Sequence, residues 1–264
     1  MTVLARGFAA ALPAGTAGWV DLVDEFDRWH ATGRVARLWW RDDDAVAATP
    51  QLERLLSLTD GVPLALAVIP AGVQSDLPAA LERSPQVAVL QHGWCHANHA
   101  VHGKKCEFPA TRPPAAVAQE LAAGRARLAA LFGARFAPVL VPPWNRIAAE
   151  FLPQLPGAGL RGLSIMAPRR LPAAPAGIAA LDVHVDLVAW RDGGGFVGTA
   201  AALAGLVQAL EAERSNAAAV PVGILTHHLV MDAPAGDFLA RLCDAVATHP
   251  AACWVAAGKL MRCR

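Results

Sequence analysis

The chain has 264 residues, 55% of them hydrophobic, enough to bury the core of one large α/β domain or two small ones, and this excludes a disordered chain. Its 23 Lys and Arg nearly cancel its 22 Asp and Glu, and no basic run is present, so nucleic acid and acidic membranes are not expected partners and small or neutral molecules are. The five cysteines (Cys95, Cys106, Cys243, Cys253, Cys263) are odd in number and form no C-x-x-C pair, which argues against a disulfide framework or a zinc ribbon and for a reduced, cytoplasmic setting.

The segment Met1 to Val20 is apolar with one arginine, Arg6, but Pro13, Gly15 and Gly18 interrupt it and no clean small-x-small site follows. It reads as part of an N-terminal helical extension over 1–34, with export as the alternative. No uninterrupted apolar run reaches the roughly 18 residues of a membrane span. A first helix is predicted from Gly18 to Thr32. Strand-like apolar runs follow at Val35 to Trp40, Pro63 to Ile69, Val87 to Leu90, Ala137 to Val141, Gly162 to Met166, Leu181 to Val188, Val220 to Leu225 and Cys253 to Ala256. Helical stretches lie between most of them: Pro50 to Leu58, Leu77 to Arg83, Ala115 to Phe132, Ile147 to Leu155, Thr199 to Arg214 and Asp237 to Thr248. Thr49-Pro50 and Gly133 mark helix ends. The Pro- and Ala-rich stretch Ala167 to Gly177 reads as a surface loop.

Alternating elements, with strands apolar on both faces, predict parallel strands covered by helices, and about seven such units favour a barrel over a doubly wound sheet. The expected fold is therefore a single α/β domain over 1–264, a (β/α) barrel of about seven parallel strands. In such a barrel the chemistry gathers at the C-terminal ends of the strands.

Several strand ends carry such residues. The first ends in Trp40-Arg41-Asp42-Asp43-Asp44, three adjacent carboxylates that need a metal, an arginine or full exposure. The third ends in His92-Gly93-Trp94-Cys95-His96, and two imidazoles at this spacing after a buried strand can point at one metal ion. His99 and His102 follow at the expected rim, and Cys95 should point away. The fourth ends in Pro142-Pro143-Trp144-Asn145-Arg146, a stiff turn that presents Trp144 as a wall for a sugar ring. Asp182, His184 and Asp186 alternate along the Leu181 to Val188 run, which predicts one shared face, with Trp190 and Arg191 beyond. The last long strand ends in Leu225-Thr226-His227-His228, where a histidine suits general acid work.

Taken in order over residues 38 to 228, these five motifs resemble those of the polysaccharide deacetylase family, the NodB-homology or carbohydrate esterase 4 type. The resemblance implies an irregular (β/α) barrel that removes acetyl groups from sugars with one divalent metal ion, commonly zinc. It implies a carboxylate base followed by a carboxylate ligand. Either Asp43 is the base and Asp44 the ligand, or the pair lies one residue earlier; the first register is preferred because it leaves Arg41 two residues before the base. It further implies His92 and His96 as ligands, His227 as general acid, and Leu225 as the wall of an acetyl pocket. Arg41, Pro143, Trp144, Asn145 and Asp186 are the expected substrate-side residues, and an acetylated carbohydrate or a small amide the expected substrate. Two departures stand out. The small hydroxyl residue usual after the first histidine is Gly93, and the arginine usual before the Pro-Pro pair, which partners the base, is Val141, so Arg41, Arg146 or Arg191 would have to supply that charge.

Overall fold

A computed structural model describes residues 17–59, 61–168, 171–191 and 193–261. Most of the apolar N-terminal segment, residues 1–16, lies outside the described residues. Among the described residues, nine parallel strands form one sheet: β1 (Ala36–Ala45), β2 (Leu64–Val68), β3 (Val87–His92), β4 (Phe136–Val141), β5 (Gly162–Leu163), β6 (Ala179–Ala180), β7 (Val185–Asp186), β8 (Val222–Thr226) and β9 (Ala252–Trp254). Their order is β6-β5-β4-β3-β2-β1-β8-β7, with β9 beside the start of β1. The helices are α1 (Trp19–Ala31), α2 (Pro50–Leu58), α3 (Asp76–Ala80), α4 (Pro114–Phe132), α5 (Thr199–Arg214), α6 (Ala233–Thr248) and α7 (Ala257–Leu260). This is the α/β barrel class expected from the sequence.

Period-two alternation sorts the strand residues into two layers. On the outside, Leu38 and Trp40 of β1, Leu64, Leu66 and Val68 of β2, and Val222 and Ile224 of β8 pack with Leu22, Phe26 and Trp29 of α1, Leu203 and Leu206 of α5, and Leu239 of α6. Inside lie Trp39, Ala65, Ala67, Leu90, Val139, Val141, Leu181, Val183 and Leu225. Small residues on β2 leave room for the Trp39 indole.

The sheet's two end strands, β6 and β7, belong to one continuous stretch of chain. Leu181 N–H donates to Leu163 O (3.0 Å) and Val183 N–H to Ile165 O (2.9 Å), while the next residue, His184, donates its N–H to Gly223 O (2.7 Å) and Leu187 N–H donates to Leu225 O (3.0 Å). This stretch therefore closes the barrel by main-chain bonds to both neighbours. Its parity changes on the way: Leu181 and Val183 join the inner cluster, whereas Val185 and Leu187 join the outer one. Asp182, His184 and Asp186 consequently do not share a face. Asp182 accepts from Ile165 N–H and His184 Nδ1 from Gly223 N–H, and only Asp186 turns toward the strand-end site. A run of alternating residues cannot reveal where such a change of face falls.

Other boundaries move for local reasons. The first strand runs past Trp40 through the acidic cluster, because Arg41 and Asp42 keep pairing with β2 and β8 and, after a register shift, Ala45 pairs with Val68 of β2. α6 begins before Asp237: Pro234 occupies its first turn, where no N–H is needed, and Asp232 caps it by accepting from Ala235 N–H (3.0 Å). The helix expected over Ile147 to Leu155 is a 3-10 turn, Ala149–Gln154, containing Pro153.

Closure requires a bare backbone at Gly223. A Cβ there would lie 2.5 Å from Trp39 Nε1 and 2.7 Å from both Asp182 O and Val183 Cα. Gly223→Ala is expected to cost about 1–3 kcal/mol through overpacking. Thermal melting should show a loss of several degrees, and an unchanged melting temperature would contradict this account of closure.

Candidate metal centre at the strand ends

The three carboxylates that follow one another on β1 go to three environments. Asp42 points outward and is fully buried; its Oδ2 accepts from Thr226 Oγ1 (2.6 Å), its Oδ1 meets His228 Nδ1 (2.5 Å), and Trp40 Nε1 donates to the same threonine (2.9 Å). Asp43 points inward against Arg41, with Arg41 Nε 2.9 Å from Oδ1 and a guanidinium N–H donated to Oδ2 at 3.0 Å. Asp44 takes a left-handed backbone, φ 73°, which turns its side chain toward β3.

There the Asp44 Oδ1 atom lies 3.0 Å from His92 Nε2 and 3.4 Å from His96 Nε2. The ligating atoms of these three residues all lie within 4.8 Å of one another. His92 Nδ1 faces the Val141 carbonyl at 2.9 Å, so the proton sits on Nδ1 and Nε2 is presented to the centre. Donors about 2.1 Å from a tetrahedral ion stand roughly 3.4 Å apart, so a carboxylate and two imidazoles at these spacings fit a divalent metal with a position left open.

The electrostatics agree. Burial alone would raise the Asp44 carboxyl pKa, but the hydrogen bond to His92 and the fields of His92, His227 and His96 outweigh it and hold the group well below the usual carboxylate range. His92 is raised, because Asp43 and Asp44 outweigh its burial, whereas His96 is lowered by burial and by His92.

The charge absent at Val141 is supplied from β1. Arg41 is fully buried, and besides Asp43 it donates to Ser164 Oγ (2.7 Å) and Asn145 Oδ1 (2.8 Å). Arg146 is turned away, donating to Lys105 O (2.8 Å). Pro143 is buried, and the turn after it places Trp144 and Asn145 in left-handed backbone, φ 55° and 56°. With Asp44 and His96 (φ 58°), these are the non-glycine residues of positive φ among the described residues, and all four belong to this site. Such conformations cost of order 1–3 kcal/mol each and persist only where the surroundings enforce them.

Trp144 lies against the His96 ring, 4.4 Å between centroids, and Lys105 reaches over its other side. Opposite, Trp190 meets His227 edge to face at 4.8 Å and donates its indole N–H to Asp186 Oδ2 (2.9 Å). Burial raises the Asp186 carboxyl, against His227 and the two hydrogen bonds it accepts. Leu225 is fully buried in the inner layer at the end of β8. Thus Arg41, Asp43, Asp44, His92, His96, Pro143, Trp144, Asn145, Asp186, Leu225 and His227 gather at one end of the barrel, while His99, through its amide, bonds to Cys106 O. Sequence reasoning missed Ser164, the Asp42–His228 pair and Glu107. The β1–β8 register, which sets Asp42 beside Thr226, is the signal that would have found the pair.

No protein-family model matches the sequence, and no curated protein matches it. Solved structures do. A Mycobacterium smegmatis protein assigned to the polysaccharide deacetylases shares 16% identity, with TM-score 0.63 over 95% of this chain and 93% of its own. A family 4 acetyl xylan esterase from Clostridium thermocellum, in complex with a cobalt ion, shares 14% at TM-score 0.54 over 86% and 90%. Puue allantoinase shares 13% at TM-score 0.55 over 87% and 89%. The chain has the NodB-type deacetylase fold.

Two outcomes follow from the geometry. Arg41→Met should destabilise the protein by about 3–5 kcal/mol, because Asp43 is left buried without its partner; chemical denaturation showing a loss under about 1 kcal/mol, the size of one ordinary hydrogen bond, would contradict the pairing. In metal-free protein the lowered Asp44 contributes stability above pH about 4 that is lost as pH falls, and the raised His92 contributes stability below about 6.5 that is lost as pH rises. The melting difference between metal-free wild type and Asp44→Asn should therefore be largest near pH 5 and shrink on both sides.

Proposed function

We propose that this chain, built on the NodB-type fold, is a metal-dependent hydrolase that removes the acetyl group from an N-acetylated sugar. The observation that carries the reading is the grouping of Asp44, His92 and His96 at the ends of β1 and β3 beside an inward carboxylate clamped by Arg41. Asp44, His92 and His96 would hold one divalent ion, zinc by preference of a carboxylate and two imidazoles. Such an ion, when bound, polarises an acyl carbonyl and acidifies a water.

The remaining work falls to side chains of this chain. Asp43 takes a proton from the attacking water, and Arg41, itself anchored by Ser164 and Asn145, fixes the direction in which the carboxylate points. His227, across the cleft and set by the Trp190 edge, gives a proton to the leaving nitrogen. Trp144 and Trp190 form opposite walls on which a sugar ring can pack, with Leu225 at the base for the acetyl methyl. The chain contains no tyrosine, and this reading takes a backbone N–H as the further donor to the oxyanion. The alternative of a non-catalytic glycan- or ligand-binding relative with a degraded site is motivated by Val141 before Pro142, and the pairing of Arg41 with Asp43 speaks against it.

A second reading has its own support. The fold resembles an allantoinase as closely as it does an esterase, which keeps a non-sugar amide as an alternative substrate for the same centre. No described helix is long and apolar enough to cross a membrane.

Elemental analysis of the purified protein should find about one divalent metal per chain, lost in His92→Ala and His96→Ala, together with acetate release from chitin oligomers. Metal without acetate, but with hydrolysis of a cyclic or linear non-sugar amide, would select the second reading. Absence of metal under every loading condition would make the histidines structural and end both.

A further inference from the structure

The loop that carries His96 is held from below by a carboxylate to which the proposed chemistry gives no part. Glu107 is fully buried. Its Oε1 accepts from Cys95 N–H (2.7 Å) and its Oε2 from Trp94 N–H (3.2 Å). Successive backbone N–H groups that point the same way form a small anion-binding concavity, and here a side chain of the same chain fills it. Burying a carboxylate costs several kcal/mol unless its oxygens find donors, so this arrangement is costly unless both amides are engaged.

Gly93 makes the arrangement possible. It has φ 57°, and a Cβ built on it would lie 1.9 Å from Glu107 Oε2 and 2.7 Å from Pro143 Cδ and Cγ. Position 93 and Glu107 thus compete for one space. A residue with any side chain at 93 would expel the carboxylate, and with glycine there the carboxylate enters and bonds the loop. Other anchors hold the loop at its two ends: Gly93 N–H donates to Val141 O (3.0 Å), Gln91 Nε2 to Gly93 O (3.1 Å) and Ala71 N–H to Trp94 O (2.9 Å) at its start, and His99 N–H to Cys106 O (2.9 Å) and Cys106 N–H to Asn98 Oδ1 (3.0 Å) after His96. Among the described residues, Glu107 is the one that reaches the amide of Cys95, the residue directly before His96, whose own backbone is left-handed.

We propose that Glu107 is the positioning residue for His96, holding the two backbone amides that precede it in a space that glycine at position 93 leaves open. The inference rests on the reading of Asp44, His92 and His96 as metal ligands. It concerns where the His96 imidazole is held, and Glu107 itself touches neither metal nor substrate.

The test is titration of metal-free protein with cobalt(II), followed by its visible absorption, with zinc competition for affinity and circular dichroism to establish folding. Glu107→Gln is nearly isosteric, but its amide offers one acceptor and sets an NH2 against the second backbone N–H. Glu107→Asp keeps the charge and withdraws the oxygens by one methylene. Both are expected to weaken cobalt and zinc binding about 10- to 100-fold and to shift the cobalt absorption bands, as loss of an outer partner of a ligand does. A residue that only filled space would leave the bands of the bound ion where they are. Cobalt binding that is abolished by His96→Ala yet unchanged in affinity and spectrum in a folded Glu107→Gln or Glu107→Asp protein would overturn this inference alone. Wild-type protein that takes up no cobalt would overturn it together with the metal reading.

Discussion

Three consecutive carboxylates cannot share one environment, and the way β1 separates them is the constraint on which the rest of the site depends. Strand geometry sends alternate side chains to opposite faces. Asp42 therefore goes outward, where Thr226 and His228 satisfy it in a fully buried pocket, and Asp43 goes inward onto Arg41. A third residue in the same strand would return outward beside Asp42. The left-handed backbone at Asp44 breaks that alternation and delivers its carboxylate to His92 and His96 instead. Arg41 and Asp43 share a face because they are two residues apart, so the strand that presents the carboxylate also presents its counter-charge.

The positive φ values at Asp44, His96, Trp144 and Asn145 carry a further consequence. Strained backbone survives only if its surroundings over-determine it. Around these residues the restraints are specific: the Val141 carbonyl on His92, the Glu107 carboxylate under the amides before His96, and Arg41 on the Asn145 side chain. Asn145 and Ser164 thus link three strand ends through one guanidinium, so displacement of any of them is felt at Asp43.

Much of this was legible in the sequence because it is written locally. Apolar runs at regular intervals and a Pro at a helix start report on neighbouring residues, and α2 and α5 have the predicted limits, Pro50–Leu58 and Thr199–Arg214. The His92–His96 spacing was legible for the same reason. What was not legible depends on pairings distant in sequence. Nothing near Val183 signals that the barrel-closing strand changes parity there, and that change separates Asp186 from Asp182 and His184. Choosing between the two carboxylate registers requires knowing that Asp42 lies opposite Thr226 on β8. The helix expected at Ile147 to Leu155 had apolar periodicity, but Pro153 and the tight turn after Trp144 left room only for 3-10 geometry.

The two departures from the motifs that this sequence resembles share one logic. At position 141 the arginine side chain is absent, yet the guanidinium arrives at the inward carboxylate from Arg41, and the Val141 carbonyl meanwhile orients His92. At position 93 the hydroxyl is absent, and a carboxylate from residue 107 bonds the two following amides. In each case the physical requirement, a cation on one aspartate or an acceptor under one loop, is met by a residue that stands outside the motif position, Arg41 for 141 and Glu107 for 93. A motif records which residue type stands at a position, whereas the site depends on which atom stands at a place. Where such replacements come from other strands and loops, similarity of sequence falls while similarity of geometry holds.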